Sequence, residues 1–374
     1  MRFLHIGDLH LGKTLNDFSL REDQAAALDQ IAEIARRENA DAVLVAGDVY
    51  QKSSPQSEAM ALFDAFVTRL IRDGRRVFVI SGNHDSSQRI SYFSSLIRGA
   101  GMYVSERFDG QLQTVTLEDE YGSLDLHLLP FVRPAQVRRL FPEEKIENSQ
   151  QAIEAVLRRS NVDFSRRNVL LCHQFITGCA TSDSEEPSLG GLDGVDYTVF
   201  DGFDYVALGH VHRPQRIGRD TLRYAGSLLK YSFSETDQKK GATVVDMGAK
   251  GQISVRFVPV TPIRDMRIAD GTLEEILNLP CSEDYVWVTL RDELVPPDAR
   301  ISVSAVFPNL MKFTVSNSKT RQDTDVTARE RLRSRTVPEL FEDFYRLLNN
   351  DREPGDLHRK VLADALRELE DGHE

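Results

Sequence analysis

Residues 1–10 read MRFLHIGDLH. The run RFLHI has the apolar and branched content of a buried strand. Gly7 then allows a tight exit from it, and Asp8 and His10 follow at the strand end. The pattern recurs four times: DAVLVAGD (41–48) closes on Asp48, RVFVISGNHD (76–85) on Asn83, His84 and Asp85, RNVLLCHQF (167–175) on His173, and DYVALGHVH (204–212) on His210 and His212. In α/β sheets the crevice beyond the strand carboxyl ends is where ligands bind, so these positions are the first candidates for a site.

Helical stretches separate the early runs. REDQAAALDQIAEIARREN (21–39) repeats Ala, Leu and Ile at three- and four-residue steps. SEAMALFDAFVTRLIRDG (57–74) is a second helix with Gly74 as its C-cap, and SYFSSLIRGAG (91–101) reads as a third. LDLHLLP (124–130), LRYAG (222–226), ATVVDMG (242–248) and ISVRFVPV (253–260) are further strand-like runs. The expected fold class is α/β, a layered domain over 1–261. After Pro262, GTLEEILNL (a helix), YVWVTLRD, RISVSAVFP and LMKFTVS suggest a small α+β unit over 262–318. From 319 to 374 a polar stretch, a linker or solvated helix, leads to two amphipathic helices, TVPELFEDFYRLLNN and DLHRKVLADALRELE, joined by the turn DREPG.

The 374 residues allow two or three domains at roughly 150 residues each. With 41% hydrophobic and 28% charged residues, the chain is neither disordered nor fibrous. No apolar run approaches the ~20 residues of a membrane span, and too few apolar residues precede Asp8 for a signal-peptide core. Three cysteines (Cys172, Cys179, Cys281) form no disulfide framework, so the expected setting is cytoplasmic and reduced. A net charge of −12 argues against a whole-surface nucleic-acid binder. It leaves room for a local cleft whose carboxylates are covered by divalent metal.

Asp8, His10, Asp48, Asn83, His84, His173, His210 and His212 offer carboxylate, amide and imidazole donors. Such mixed ligation suits borderline ions such as Mn²⁺, Fe²⁺ or Zn²⁺. Two ions ~3.5–4 Å apart clamp the attacking and leaving oxygens of an in-line displacement at phosphorus. Taken alone, His10 or His173 reads as a hydrogen-bonded core histidine, and GNHD reads equally as a turn. Five clusters in this order, each at a strand end, point to a two-metal site. Cys172 reads as a small buried residue, and His5 as core or support. Lys13, Arg21, Arg89, Arg223 and Lys230 flank the motifs and are candidates for phosphate contact. The acidic loop SDSEEP (182–187) is not expected to touch DNA without moving.

The order GDLH, GDV, GNHD, CHQ, GHVH resembles the calcineurin-like metallophosphoesterase superfamily. MRFLHIGDLHLGK, FDYVALGHVHRPQRIG and LRYAGSLLKYSFSE resemble, more closely, the SbcD nuclease family. The resemblance implies a layered β-sandwich flanked by helices, with one metal on Asp8, His10, Asp48 and His212. It places a second on Asp48, Asn83, His173 and His210, with Mn²⁺ expected at both. His84 would be the catalytic histidine that serves the leaving oxygen, with Asp85 holding its ring. It further implies hydroxide attack on DNA, 3′ to 5′ on duplex ends and endonucleolytic on single strands and hairpins. A capping domain over 262–318 and a grip on an SbcC-type ATPase through 336–374 follow from it. There Phe341, Phe344, Tyr345 and Leu348, then Val361, Leu362, Ala365 and Leu366, give apolar stripes. Homodimerisation would use helices at 57–73 and 90–98. A small-molecule phosphodiesterase or phosphatase on the same fold is the alternative.

Overall fold

The computed structural model describes residues 1–185, 194–318, 336–348 and 353–372. Two six-stranded sheets lie face to face. In the first, the order is Ile253–Pro259, Gly241–Met247, Arg2–Ile6, Ala42–Val45, Arg76–Val79, Met102–Val104. The last four strands run parallel, and the first two add an antiparallel edge. In the second, the order is Gln215–Ile217, Arg219–Tyr224, Tyr205–Gly209, Arg167–His173, Gly122–Leu129, Gln113–Asp119. Its inner four strands are parallel, with antiparallel neighbours at both edges.

Side-chain alternation explains the layering. Phe3, Leu44, Phe78, Leu126, Leu171 and Ala207 point between the sheets. Their neighbours Leu4, Val43, Val45, Val77 and Val79 face the helices Arg21–Arg37 and Ser57–Arg72, and Leu170, Cys172, Val206 and Leu208 face Pro134–Leu140 and Ser149–Arg159. Because successive residues of a strand point to opposite faces, these fully apolar runs are buried on both sides. His5 lies between the sheets, bonded to the Tyr205 hydroxyl at 3.0 Å and the Leu208 carbonyl at 3.1 Å. Burial pushes its pKa down to about 3, so it is a neutral strut.

Parallel strands Met266–Gly271, Tyr285–Leu290 and Leu310–Val315 form a third sheet, covered on one face by Leu273–Leu277 and Ala299–Val306. Thr272 and Glu275 close a capping box on the first of these helices. The unit is tied to the first domain at Asp23, whose Oδ2 accepts from the Tyr285 hydroxyl at 2.7 Å and from Arg264 at 2.9 Å.

Two expectations change. The third helix over 91–101 is cut short to Ser94–Ile97, continued by the 3₁₀ turn Arg98–Ala100, because Phe93 at φ 66° interrupts it at one end and Gly101 at φ 99° at the other. RISVSAVFP, rich in β-branched residues, forms the helix Ala299–Val306 because Ala299, Val303 and Phe307 fall on one buried face. Residues 319–335, which hold most of the polar stretch, lie outside the described residues. Helices Val337–Leu348 and Asp356–Gly372 meet through Tyr345 and His358, ring centroids 4.9 Å apart. Phe344 and Val361 remain 59% and 60% exposed, and the Leu348 side chain lies outside what is described. Among the described residues no helix is long and apolar enough to cross a membrane.

Candidate metal centre

The carboxyl ends of the parallel strands from both sheets meet at one crevice. Arg2–Ile6 delivers Asp8 and His10, Ala42–Val45 delivers Asp48, and Arg76–Val79 delivers Asn83 and His84. From the facing sheet, Arg167–His173 brings His173, and Tyr205–Gly209 brings His210 and His212. Asp8, His10, Asp48 and His210 all have positive φ, between 45° and 106°. Non-glycine residues held there cost on the order of 1–3 kcal/mol each and cluster at functional sites. The sheets approach so closely that a Cβ on Gly209 would lie 1.8 Å from the Ala46 carbonyl oxygen. A Cβ on Gly82 would lie 2.1 Å from Asp48 Oδ1.

Ligand atoms converge in three overlapping groups, Asp8 with His10 and His212, Asp8 with Asp48 and His173, and His10 with Asp48 and His84, the atoms of each lying within 4.8 Å of one another. Asp48 Oδ2 stands 3.6 Å from both His10 Nε2 and His173 Nε2, so it links the groups. Asn83 Oδ1 lies 3.0 Å from His173 Nε2 and 3.0 Å from His210 Nδ1.

Without a cation this cage is electrostatically incomplete. His173 donates from Nδ1 to the Ala46 carbonyl at 2.7 Å, which fixes the tautomer and turns the Nε2 lone pair inward. Burial pushes its pKa to about 3, so that lone pair stays bare beside the acceptor Asn83 Oδ1. Burial, then the neighbouring imidazoles, also push His10 and His210 down. His10 Nε2 and His212 Nε2 face each other at 3.0 Å. Burial and then the charge of Asp48 push the Asp8 carboxyl up. Its Oδ1 accepts the His210 backbone N–H at 2.8 Å, while Oδ2 is buried without a hydrogen-bond partner. Converging buried lone pairs are costly unless a cation sits among them, and hard carboxylate with borderline imidazole suits a divalent one.

His84 stands at the mouth, its side chain 20% exposed and its Nε2 3.9 Å from Asp48 Oδ2. The Gln51 carbonyl, not Asp85, holds its ring, accepting from Nδ1 at 3.2 Å. Asp85 instead accepts from the backbone N–H groups of Gly82, Val49 and Tyr50 at 2.9–3.1 Å, locking the turn that carries His84. Burial and then Asp48 push its carboxyl to about 7, against the pull of those three donors.

Behind His212 lies a polar network the sequence did not disclose. His212 Nδ1 donates to Ser184 Oγ at 2.6 Å, and Ser184 in turn donates to Glu235. Glu235 is fully buried and paired with Lys240 at 2.6 Å, while Lys240 also donates to the His212 carbonyl at 2.7 Å. Burial opposes ionisation of Glu235, but His212 and Lys240 outweigh it and hold the carboxyl well below its ordinary range. Glu185 accepts the His212 backbone N–H at 2.8 Å, so the acidic loop braces the centre. Cys172 is buried in the core, and burial pushes its thiol up. Lys13 packs over Tyr231 and bonds Gln51 at 3.2 Å, and Lys230 pairs with Asp265 at 2.8 Å, so both are already engaged.

A face-to-face pair of mixed sheets with such a crevice defines a calcineurin-like phosphoesterase, and the model of that family, "Calcineurin-like phosphoesterase", matches residues 1–214. Residues 262–348 match "Type 5 capsule protein repressor C-terminal domain". The chain is 33% identical over 322 residues to the SbcD subunit of the SbcCD nuclease of Staphylococcus epidermidis, covering 84% of this chain and 85% of that one. The Staphylococcus saprophyticus counterpart is likewise 33% identical, with 84% of each chain covered. A solved dimetal phosphatase from Danio rerio has TM-score 0.41 at 12% identity, over 69% of this chain and 95% of that one. The chain belongs to the family of the nuclease subunit SbcD.

Proposed function

We propose that the chain hydrolyses DNA phosphodiesters at this crevice as the nuclease subunit of an SbcCD-like complex, trimming duplex ends 3′ to 5′ and nicking single strands and hairpins. The observation that carries the reading is the convergence of donors from both sheets on Asp48, with His84 at the open side. Asp8, His10, Asp48 and His212 would hold one divalent ion, and Asp48, Asn83, His173 and His210 a second, with Mn²⁺ the expected metal. Bound there, two divalent ions supply Lewis-acid polarisation of the phosphate and activation of water.

The chain's own groups do the rest. Asp48 Oδ1 accepts the His84 backbone N–H at 3.0 Å, fixing the imidazole relative to the cage. Because Nδ1–H is committed to Gln51, the exchangeable proton is at Nε2, which faces the substrate side and serves the leaving oxygen. Glu235, through Ser184, keeps the His212 proton on Nδ1 and its Nε2 free to ligate.

In this reading 1–261 is the nuclease domain, 262–318 a cap beside the cleft, and 319–374 carries the partner-binding helices. The exposed Phe344 and Val361 fit a partner groove for an SbcC-type ATPase, and 57–73 with 90–98 fit a homodimer contact. The test is end-labelled duplex and single-stranded DNA with Mn²⁺, with and without SbcC. Cleavage is expected; hydrolysis of small aryl phosphates without cleavage of DNA in either arm would refute the reading in favour of a small-molecule phosphoesterase. Deleting 336–374 should abolish SbcC binding, and unchanged affinity would refute the partner assignment.

A further inference from the structure

The histidines of the cage are not held alike. His173 and His212 each bond from Nδ1, to the Ala46 carbonyl and to Ser184, and both present Nε2 to the centre. His10 differs: its Nε2 faces Asp48 and His212, but its Nδ1 is buried with no hydrogen-bond partner among the described residues. A ligating imidazole is ordinarily oriented by a bond to its second ring nitrogen. His10 has none, yet it is fully buried and its backbone stands at φ 45°. A residue keeps such a conformation only where its surroundings over-determine it.

The main chain supplies the constraint. On one side the His10 N–H donates to the Asp48 carbonyl and the Leu11 N–H to the Val49 carbonyl, both at 2.9 Å. On the other stands Gln24, buried in the first turn of Arg21–Arg37. Its Oε1 accepts the Gly12 N–H at 3.1 Å, and its Nε2 donates to the His10 carbonyl at 2.8 Å. The same Nε2 reaches the Leu9 carbonyl and the Tyr231 hydroxyl, each at 3.3 Å. An amide both accepts and donates, so one side chain engages three backbone groups of the turn that carries His10. The buried Tyr231 hydroxyl donates to the same Leu9 carbonyl, and its ring stands edge-on to His10 at 5.6 Å and to His212 at 5.7 Å. Its backbone N–H donates to Glu235 at 3.2 Å, the carboxylate that braces His212 through Ser184.

We propose that Gln24 and Tyr231 are positioning residues of the metal centre, setting the His10 imidazole through its main chain in place of a bond to its ring. The proposal rests on reading the crevice as a metal centre and adds how one half of it is preorganised. Tyr231 touches both His10 and His212, so the effect falls on the ion those two would share. The ion among Asn83, His173 and His210 is affected less. Asp23, next to Gln24, bonds Tyr285 instead and offers a control on the same helical turn.

The test pairs calorimetric titration of the full chain with Mn²⁺ and crystal structures of the metal-free protein. In Gln24→Met, which keeps the side-chain length and loses the amide, one of the two Mn²⁺ equivalents should bind about 10–100-fold more weakly. Metal-free crystals of that variant should show the His10 ring displaced. Tyr231→Phe, which keeps the ring and loses one hydroxyl, should weaken the same equivalent about threefold to tenfold. Tyr285→Phe removes the bond to Asp23 and should leave both equivalents unchanged. Unchanged Mn²⁺ affinity in Gln24→Met, or an equal loss in Tyr285→Phe, would overturn the proposal. If Gln24→Met does not fold, Tyr231→Phe decides in its place. A wild type that binds no Mn²⁺ sinks the metal reading alone; the metal-free crystals then decide, a displaced His10 ring upholding the positioning role and an unmoved one overturning it.

Discussion

Asp48 divides its two oxygens between two tasks. Oδ1 holds the His84 backbone N–H at 3.0 Å, while Oδ2 faces His10 and His173 at 3.6 Å each. Removing the His84 imidazole takes away the proposed proton donor but leaves this arrangement. His84→Ala should therefore lower DNA cleavage by on the order of 10²-fold or more while Mn²⁺ binding persists. Kinetics with calorimetry would check this, and full activity in the variant would remove the role given to His84. Glu235→Gln leaves Lys240 buried without its charge partner, so stability should fall by about 3–5 kcal/mol in chemical denaturation. Mn²⁺ affinity should fall about 10–100-fold as the His212 tautomer loosens. The Asp, Asn and His side chains that converge at the crevice were legible in the sequence because each follows an apolar run. Glu235 and Ser184 were not, since they reach His212 only through the fold, from 23 positions after it and 28 before. Asp85 misled for a local reason: adjacency to His84 suggests a ring partner, but the turn aims its carboxylate at the backbone.

At the scale of elements, the site depends on how closely two strand ends can pass. Gly209 ends Tyr205–Gly209 directly against the Ala46 carbonyl that His173 uses. Gly209→Ala would force these ends apart, so the expected result is loss of Mn²⁺ binding together with a lowered thermal midpoint. Normal binding in that variant would contradict the close approach. Strand-like runs could be read from the sequence because burial on both faces removes alternation. Two elements could not. RISVSAVFP has the residue content of a strand, yet its burial against Ile276 and Leu310 follows the helical period. The 91–101 stretch has helical content, yet breaks at Phe93 and Gly101.

For the whole molecule, the two sheets are also fastened at the end opposite the metal centre. Asp119 accepts from Arg167 at 2.6 Å and from the Met1 ammonium at 3.0 Å, joining the outer strand of one sheet to the first strand of the other. Arg167 and the ammonium hold its carboxyl far below the usual carboxylate range. A depressed carboxyl stabilises the fold above its unfolded value, near 3.9, and that stability is lost as pH falls towards the folded value. Asp119→Asn should thus lower the thermal midpoint at neutral pH and flatten its decline as pH falls below about 4, the unfolded value from which the loss begins. Identical pH–stability curves would contradict the pairing. Which sheet faces which was hidden in the sequence, because parallel strands give no register signal across the interface between sheets.

The central claim is that two sheets build one pocket for a pair of divalent cations. Anomalous diffraction from crystals soaked in Mn²⁺ tests it most directly. Two peaks are expected, one among Asp8, His10, Asp48 and His212 and one among Asp48, Asn83, His173 and His210, both lost in Asp48→Asn crystals. No peak in the crevice, or peaks only elsewhere on the surface, would contradict the account.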